Sequence, residues 1–198
     1  MSRAIAVVTA GLTQPSSTRL LADQLAAAVT GHLPDAEVVT IELRDVAHDL
    51  VNNLLTGFPA PALKRALDAV AGADGVIAVT PTFNASYSGL FKMFFDVLGD
   101  AALVGKPVLI AATGGTVRHS LALEHALRPM FAYLRAIVVP TSVFAAPEDW
   151  AGAVAGGSLR ARVDRAGTEL AELIASRPTA EVADPFALTT TFDDLLAS

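Results

Sequence analysis

Apolar and polar positions along this chain switch repeatedly between two patterns: short unbroken apolar runs, and longer stretches with apolar residues at helical spacing. Ala4-Ile5-Ala6-Val7-Val8 has strand length, and residues 18–29 follow with Leu21, Leu25 and Val29 on one helical face. Residues 37–43 alternate and predict a second strand, while residues 62–71 carry Leu63, Leu67 and Val70 on one side of a helix. Gly75-Val76-Ile77-Ala78-Val79 reads as a third, fully buried strand, and Leu90, Phe91, Phe94, Phe95 and Leu98 recur at helical spacing after it. Residues 107–112 predict a fourth strand, 119–134 a long helix and 137–140 a short fifth strand. A closing helix over 160–175 turns Val163, Leu170, Leu173 and Ile174 inward.

Pro129 falls inside the long predicted helix. Its ring clashes with the carbonyl four residues back, so a kink or local opening is expected there. Five strand–helix repeats imply a doubly wound α/β fold, a five-stranded parallel sheet covered by helices on both faces. Residues 1–177 are expected to form one domain. Residues 178–198 contain Pro178 and Pro185 without periodicity and read as an extended arm, resting on a neighbouring subunit.

Composition narrows the function classes. With 198 residues, 53% hydrophobic and only 17% charged, the chain is long and apolar enough to bury a core. A formal charge of −6 argues against nucleic acid, whose phosphates require a basic footprint. No cysteine is present, which removes disulfides, thiolate metal sites and cysteine nucleophiles. His32, His48, His119 and His125 show no metal-ligand spacing. Without a charged leader before the first strand or an apolar stretch of spanning length, a cytoplasmic protein with no membrane contact is expected.

Open α/β sheets bind ligands outside the carboxyl ends of their strands. Three loops there carry candidate chemistry. After the third strand comes Thr80-Pro81-Thr82-Phe83-Asn84-Ala85-Ser86-Tyr87-Ser88-Gly89, whose aromatic, amide and hydroxyl groups suit a flat ring with polar edges. After the first strand comes Thr9-Ala10-Gly11-Leu12-Thr13-Gln14-Pro15-Ser16-Ser17-Thr18-Arg19, with neither the G-x-G-x-x-G fingerprint nor a Walker A lysine. Its hydroxyls Ser16, Ser17 and Thr18 sit at a helix start, where unpaired N–H groups and the dipole favour a phosphate. Equally, Ser16 or Ser17 can simply cap the helix. After the fourth strand comes Thr113-Gly114-Gly115-Thr116-Val117-Arg118-His119, in which paired glycines either admit a ligand close to the backbone or form an ordinary turn. In a 2-1-3-4-5 sheet these loops converge at the switch point, where this fold class holds FMN.

These loops, with His119-Ser120-Leu121-Ala122-Leu123-Glu124-His125-Ala126-Leu127-Arg128-Pro129, resemble the NADPH-dependent FMN reductases over about residues 4–175. Within that family the chain is most similar to reductase components of two-component flavin monooxygenases, such as those of alkanesulfonate metabolism. The resemblance implies a flavodoxin-like fold, FMN and NADPH as cofactors, a homodimer or homotetramer, and a partner monooxygenase that receives reduced FMN. It implies that Ser16, Ser17 and Thr18 hold the FMN phosphate. Pro81, Thr82, Phe83, Asn84, Ser86 and Tyr87 would then line the isoalloxazine, and Thr113, Gly114 and Gly115 would meet its pyrimidine edge or face. His119 contacts flavin or nicotinamide on this reading, or makes only a helix-start hydrogen bond.

Two residues depart from the family pattern: Ser17 replaces a frequent arginine, and His125 replaces a tyrosine of some relatives. Hydride transfer between the two cofactors needs no protein acid or base, so none is nominated; donors near flavin N1 and O2 are needed, and the Gly114 and Gly115 N–H groups supply them. Arg118 and Arg19 are the candidate contacts for a 2′-phosphate. Alternatives on the same scaffold are a quinone or azo-dye reductase, an electron carrier, or a flavin-free interaction domain. A hydrolase lacks its G-x-S-x-G elbow here.

Overall fold

The computed structural model describes residues 2–150 and 159–178. Strand β1 (Ala4–Thr9) leads to helix α1 (Ser17–Thr30) and strand β2 (Glu37–Glu42), followed by helices α2 (Ala47–Thr56) and α3 (Pro61–Gly72). Strand β3 (Gly75–Phe83) turns back through β4 (Ser86–Tyr87) into helix α4 (Gly89–Asp96), and β5 (Pro107–Thr113) follows. Helix α5 (Arg128–Tyr133), short strands β6 (Ile137–Val138) and β7 (Val143–Ala145), and helices α6 (Pro147–Trp150) and α7 (Leu159–Ala175) complete the described residues.

The sheet runs β2-β1-β3-β5-β6, all parallel, with β7 also pairing with β5 and β4 lying antiparallel on β3. The expected 2-1-3-4-5 order therefore holds in outline. The fifth position, however, is filled by two short pieces instead of one strand over 137–140. Side chains alternate across the sheet. Ala6, Val8, Val76, Ala78, Val108 and Ile110 face one core layer with Phe91, Phe94 and Phe131. Ile5, Val7, Ile77, Val79, Leu109 and Ala111 face the other, under α1 and α7. The apolar runs in β3 and β5 are unbroken because both faces are covered.

Two further expectations need correction. The single helix over 119–134 is instead a 3₁₀ turn (Val117–His119), a π turn (Leu123–Leu127) and then α5. The expected opening at Pro129 lies immediately upstream: the Arg128 N–H bonds the Leu123 carbonyl, five residues back, which relieves the crowding a proline imposes on the preceding turn. The loop after β3 is a β-hairpin, because β3 continues to Phe83. Helix α2 matches no element predicted from the apolar pattern, and Leu54 and Leu55 on it are exposed. The arm expected at 178–198 lies outside the described residues from position 179 onward.

At the opposite end of the sheet from the candidate loops, Lys106 is buried and donates to the Val70 and Ala71 carbonyls at 2.6 and 2.7 Å, capping α3. Burial lowers its pKa from 10.5 to about 8, with Asp74 opposing the shift. Between those values the unfolded chain binds more protons at this site than the native one. The contribution of Lys106 to stability therefore rises with pH across the window, by up to about 3 kcal/mol. Urea unfolding of wild type and Lys106→Met at pH 7.5 and pH 10 should show the difference moving in favour of wild type at the higher pH. An unchanged difference would mean an unshifted lysine.

Candidate active site

The carboxyl ends of β1, β3 and β5 are adjacent. Thr9 pairs with Val79, and Pro81 pairs with Thr113. The Ala10 N–H donates to the Val79 carbonyl at 3.0 Å, so the first loop leaves the sheet against the third strand. At these neighbouring ends the hydroxyls of Thr9 and Thr82 are buried without a partner among the described residues.

Around α1 the three hydroxyls have separated roles. Ser16 is the cap: its Oγ accepts from the Arg19 N–H at 3.2 Å. Thr18 is buried, and its hydroxyl lies 2.9 Å from that of Thr113, tying the first loop to the end of β5. Ser17 is exposed at the first position of a 14-residue helix, where the leading N–H groups have no acceptor within the helix. Of the three, Ser17 alone has no side-chain hydrogen bond among the described residues. Behind this loop, Arg19 pairs with Asp23 and Glu42, and Arg44 pairs with Glu42 and donates to the Thr13 carbonyl at 3.1 Å. The hydrogen bond to Asp23, aided by the charge of Glu42, raises the Arg19 pKa further. This clamp of Arg19, Glu42 and Arg44 was not anticipated. No spacing in the sequence brings residues 19 and 42 together; the β1–β2 register does.

The hairpin between β3 and β4 turns on Asn84 and Ala85, with φ of 48° and 66°. Positive φ at both centres is the turn that matches strand twist; asparagine tolerates it, and alanine bears a cost of about 1 kcal/mol. Thr80 accepts from the Ser88 N–H at 3.0 Å, and Ser88 caps α4 through the Phe91 N–H. The hairpin is thus pinned at its base. Phe83, 47% exposed, stands free at the tip, whereas Tyr87 leans on Phe91 with ring centroids 6.1 Å apart. Pro81, Thr82 and Ser86 are half-buried along the hairpin and Asn84 is exposed.

The two glycines after β5 differ in kind. The Gly114 N–H donates to the Ala145 carbonyl at 3.1 Å, and a Cβ there would lie 2.8 Å from the Phe144 ring. At Gly115 a Cβ would meet nothing within 4 Å. Gly114 is needed for packing, while Gly115 leaves open space above the loop. His119 ends the 3₁₀ turn instead of starting a helix, and its N–H bonds the Thr116 carbonyl at 3.3 Å. It lines a hollow with Ala85, Arg118, Leu121, Ala122, His125 and Ala126, so it reaches the hairpin tip. His125 is exposed on the described chain.

The profile of the NADPH-dependent FMN reductases matches residues 4–151. The chain belongs to this family. Among its relatives, the NADH-dependent FMN reductase SfnF of Pseudomonas fluorescens is 39% identical, covering 87% of this chain and 94% of that protein. An FMN reductase (NADPH) of Pseudomonas aeruginosa is 37% identical, covering 87% and 93%. An oxidoreductase structure from Corynebacterium diphtheriae superposes with a TM-score of 0.84 at 45% identity, covering 89% of this chain and 99% of that one. An apo NADH:FMN oxidoreductase reaches 0.80 at 32%, covering 93% and 97%.

The residues present fit the flavin that the family name carries. A free hydroxyl and unpaired N–H groups stand at one helix start, an exposed aromatic stands on the hairpin, and open space with a backbone edge lies over Gly115. Among the described residues no group of three metal-ligating side chains occurs, and no helix is long and apolar enough to cross a membrane.

Proposed function

We propose that this protein is an NAD(P)H-dependent FMN reductase that hands reduced FMN to a separate flavin-dependent monooxygenase. The observation that carries the reading is the convergence of three loops at adjacent strand ends, each offering a different part of a flavin site, in a chain of this family. When bound, FMN supplies the hydride acceptor, and the nicotinamide supplies the hydride.

The chain's part is binding and orientation. Ser17 and the first N–H groups of α1 hold the phosphate, while Ser16 and Thr18 keep that loop in place. Pro81, Thr82, Phe83, Asn84, Ser86 and Tyr87 form one wall of the ring site. Thr113, Gly114 and Gly115 would form its other edge, where the Gly115 N–H is a backbone donor that could serve the ring. His119 faces the same hairpin tip. No protein acid or base is required, and none is assigned.

The protein works in the cytoplasm as a homodimer or homotetramer. The exposed Val51, Leu54, Leu55 and Phe58 on and after α2 support an assembled form.

NADPH oxidation followed at 340 nm against added FMN, and then against a quinone at fixed FMN, tests the reading. A rate that saturates in free FMN, with no further gain from quinone, is expected. Turnover that depends on quinone while flavin stays bound would replace this function with quinone reduction.

A further inference from the structure

Basic side chains at the carboxyl end of the sheet are mostly engaged. Arg19 and Arg44 converge on Glu42, and Arg128 is held by Glu124 and the Val139 and Pro140 carbonyls. Lys92 pairs with Asp96, and Arg162 with Asp149. The cluster at the first loop, two arginines among Asp23, Glu42 and Asp45, offers no net positive charge to an incoming anion.

One group differs. The side chains of Arg118, His119 and His125 have no hydrogen-bond or ion-pair partner among the described residues, and all three open onto one hollow of about 320 Å³. No acidic residue among the described residues lines it. The neighbouring Glu124 does not line it and is bonded to Arg128 at 3.0 Å and to Ser142 at 2.9 Å; its pKa is lowered, chiefly by the bond to Arg128, with the charge of His125 a smaller contribution. Ala85, at the hairpin tip, forms the facing wall. The hollow therefore abuts the tip of the hairpin that is proposed above to wall the ring. The π turn contributes here: widening the helix over Leu123–Leu127 displays His125 toward the same hollow as the 3₁₀ turn carrying Arg118.

We propose that this hollow binds a phosphate group of the nicotinamide dinucleotide, with Arg118 as the principal contact and His119 and His125 as donors beside it. The inference rests on the reductase reading above. It also decides between the two arginines singled out from sequence: Arg19 is committed to carboxylates, and Arg118 is not. A guanidinium fork matches two phosphate oxygens at once, whereas an imidazole offers one donor per nitrogen, so Arg118 should dominate.

Steady-state kinetics at saturating FMN, with wild type, Arg118→Ala and Arg118→Lys, and calorimetric titration of 2′,5′-ADP and adenosine into the flavin-free full chain test it together. Arg118→Ala should raise KM for NADPH about tenfold and weaken 2′,5′-ADP in parallel. It should leave kcat within about twofold, with partial recovery in Arg118→Lys. Loss confined to NADPH assigns the 2′-phosphate; equal loss with NADH assigns the pyrophosphate. An Arg118→Ala protein with unchanged KM for both nucleotides and unchanged 2′,5′-ADP affinity overturns the site. A wild type that binds FMN yet oxidises neither nucleotide would refute the reductase reading instead, and the titration would still decide for or against the phosphate site.

Discussion

Replacing Ser17 with glutamate should weaken FMN about a hundredfold or more, through like-charge contact with the phosphate, and leave riboflavin within about threefold. Ser17 is the right position because its two neighbours are structural. Ser16 caps α1, and Thr18 is buried against Thr113, so changing either disturbs the loop and confuses a binding loss with a packing loss. Ser17 is exposed at the first helical position. A carboxylate there interacts favourably with the helix dipole, which keeps the fold out of the result. Fluorescence titration of both flavins measures the effect. Parallel loss of FMN and riboflavin would remove the phosphate from this helix start.

A bulky side chain at Gly115 should abolish binding of FMN and riboflavin alike while leaving Tm within about 2 °C, as expected for a surface substitution whose Cβ meets open space. The contrast with Gly114 makes the experiment decisive. At Gly114 a new Cβ collides with Phe144 at 2.8 Å, so a loss of binding there would follow from damage to packing. At Gly115 the same Cβ would meet nothing among the described residues within 4 Å, its chain neighbours aside. A ring bound over this loop would compete with a leucine side chain for that open space. Gly115→Leu that binds both flavins normally would show that the ring lies elsewhere, and Gly114→Ala with a lowered Tm provides the matched control.

Both experiments depend on distinctions that the sequence did not contain. Ser16, Ser17 and Thr18 read as three equivalent hydroxyls, because adjacency in a chain does not reveal which one a helix buries. Thr18 is lost to the ligand through Thr113, a residue 95 positions away. Gly114 and Gly115 likewise read as one flexible pair until Phe144, from a short strand beyond them, was placed behind the first. The hairpin after β3 was hidden for a different reason. Its turn residues are Asn84 and Ala85, and alanine carries no signal for a positive φ. Helix α2 escaped notice because its outward residues Val51, Leu54 and Leu55 are as apolar as its buried Leu50, which blurs the helical stripe.

The sequence by itself determined the architecture and the end of the molecule at which to look. Unbroken apolar runs in β3 and β5 demand cover on both faces, and helical stripes between them supply it, so a parallel sheet with its loops at the carboxyl ends follows from local pattern alone. Pro129 announced the disturbed helix for the same local reason, since its ring acts on its own preceding turn. Only the tertiary structure decided which polar groups at those loops remain available. Availability is what is left after each donor, acceptor and charge has met its neighbours. Arg19 is engaged both by Asp23 one turn on and by Glu42 on β2, far away in sequence, whereas no carboxylate among the described residues lines the hollow of Arg118.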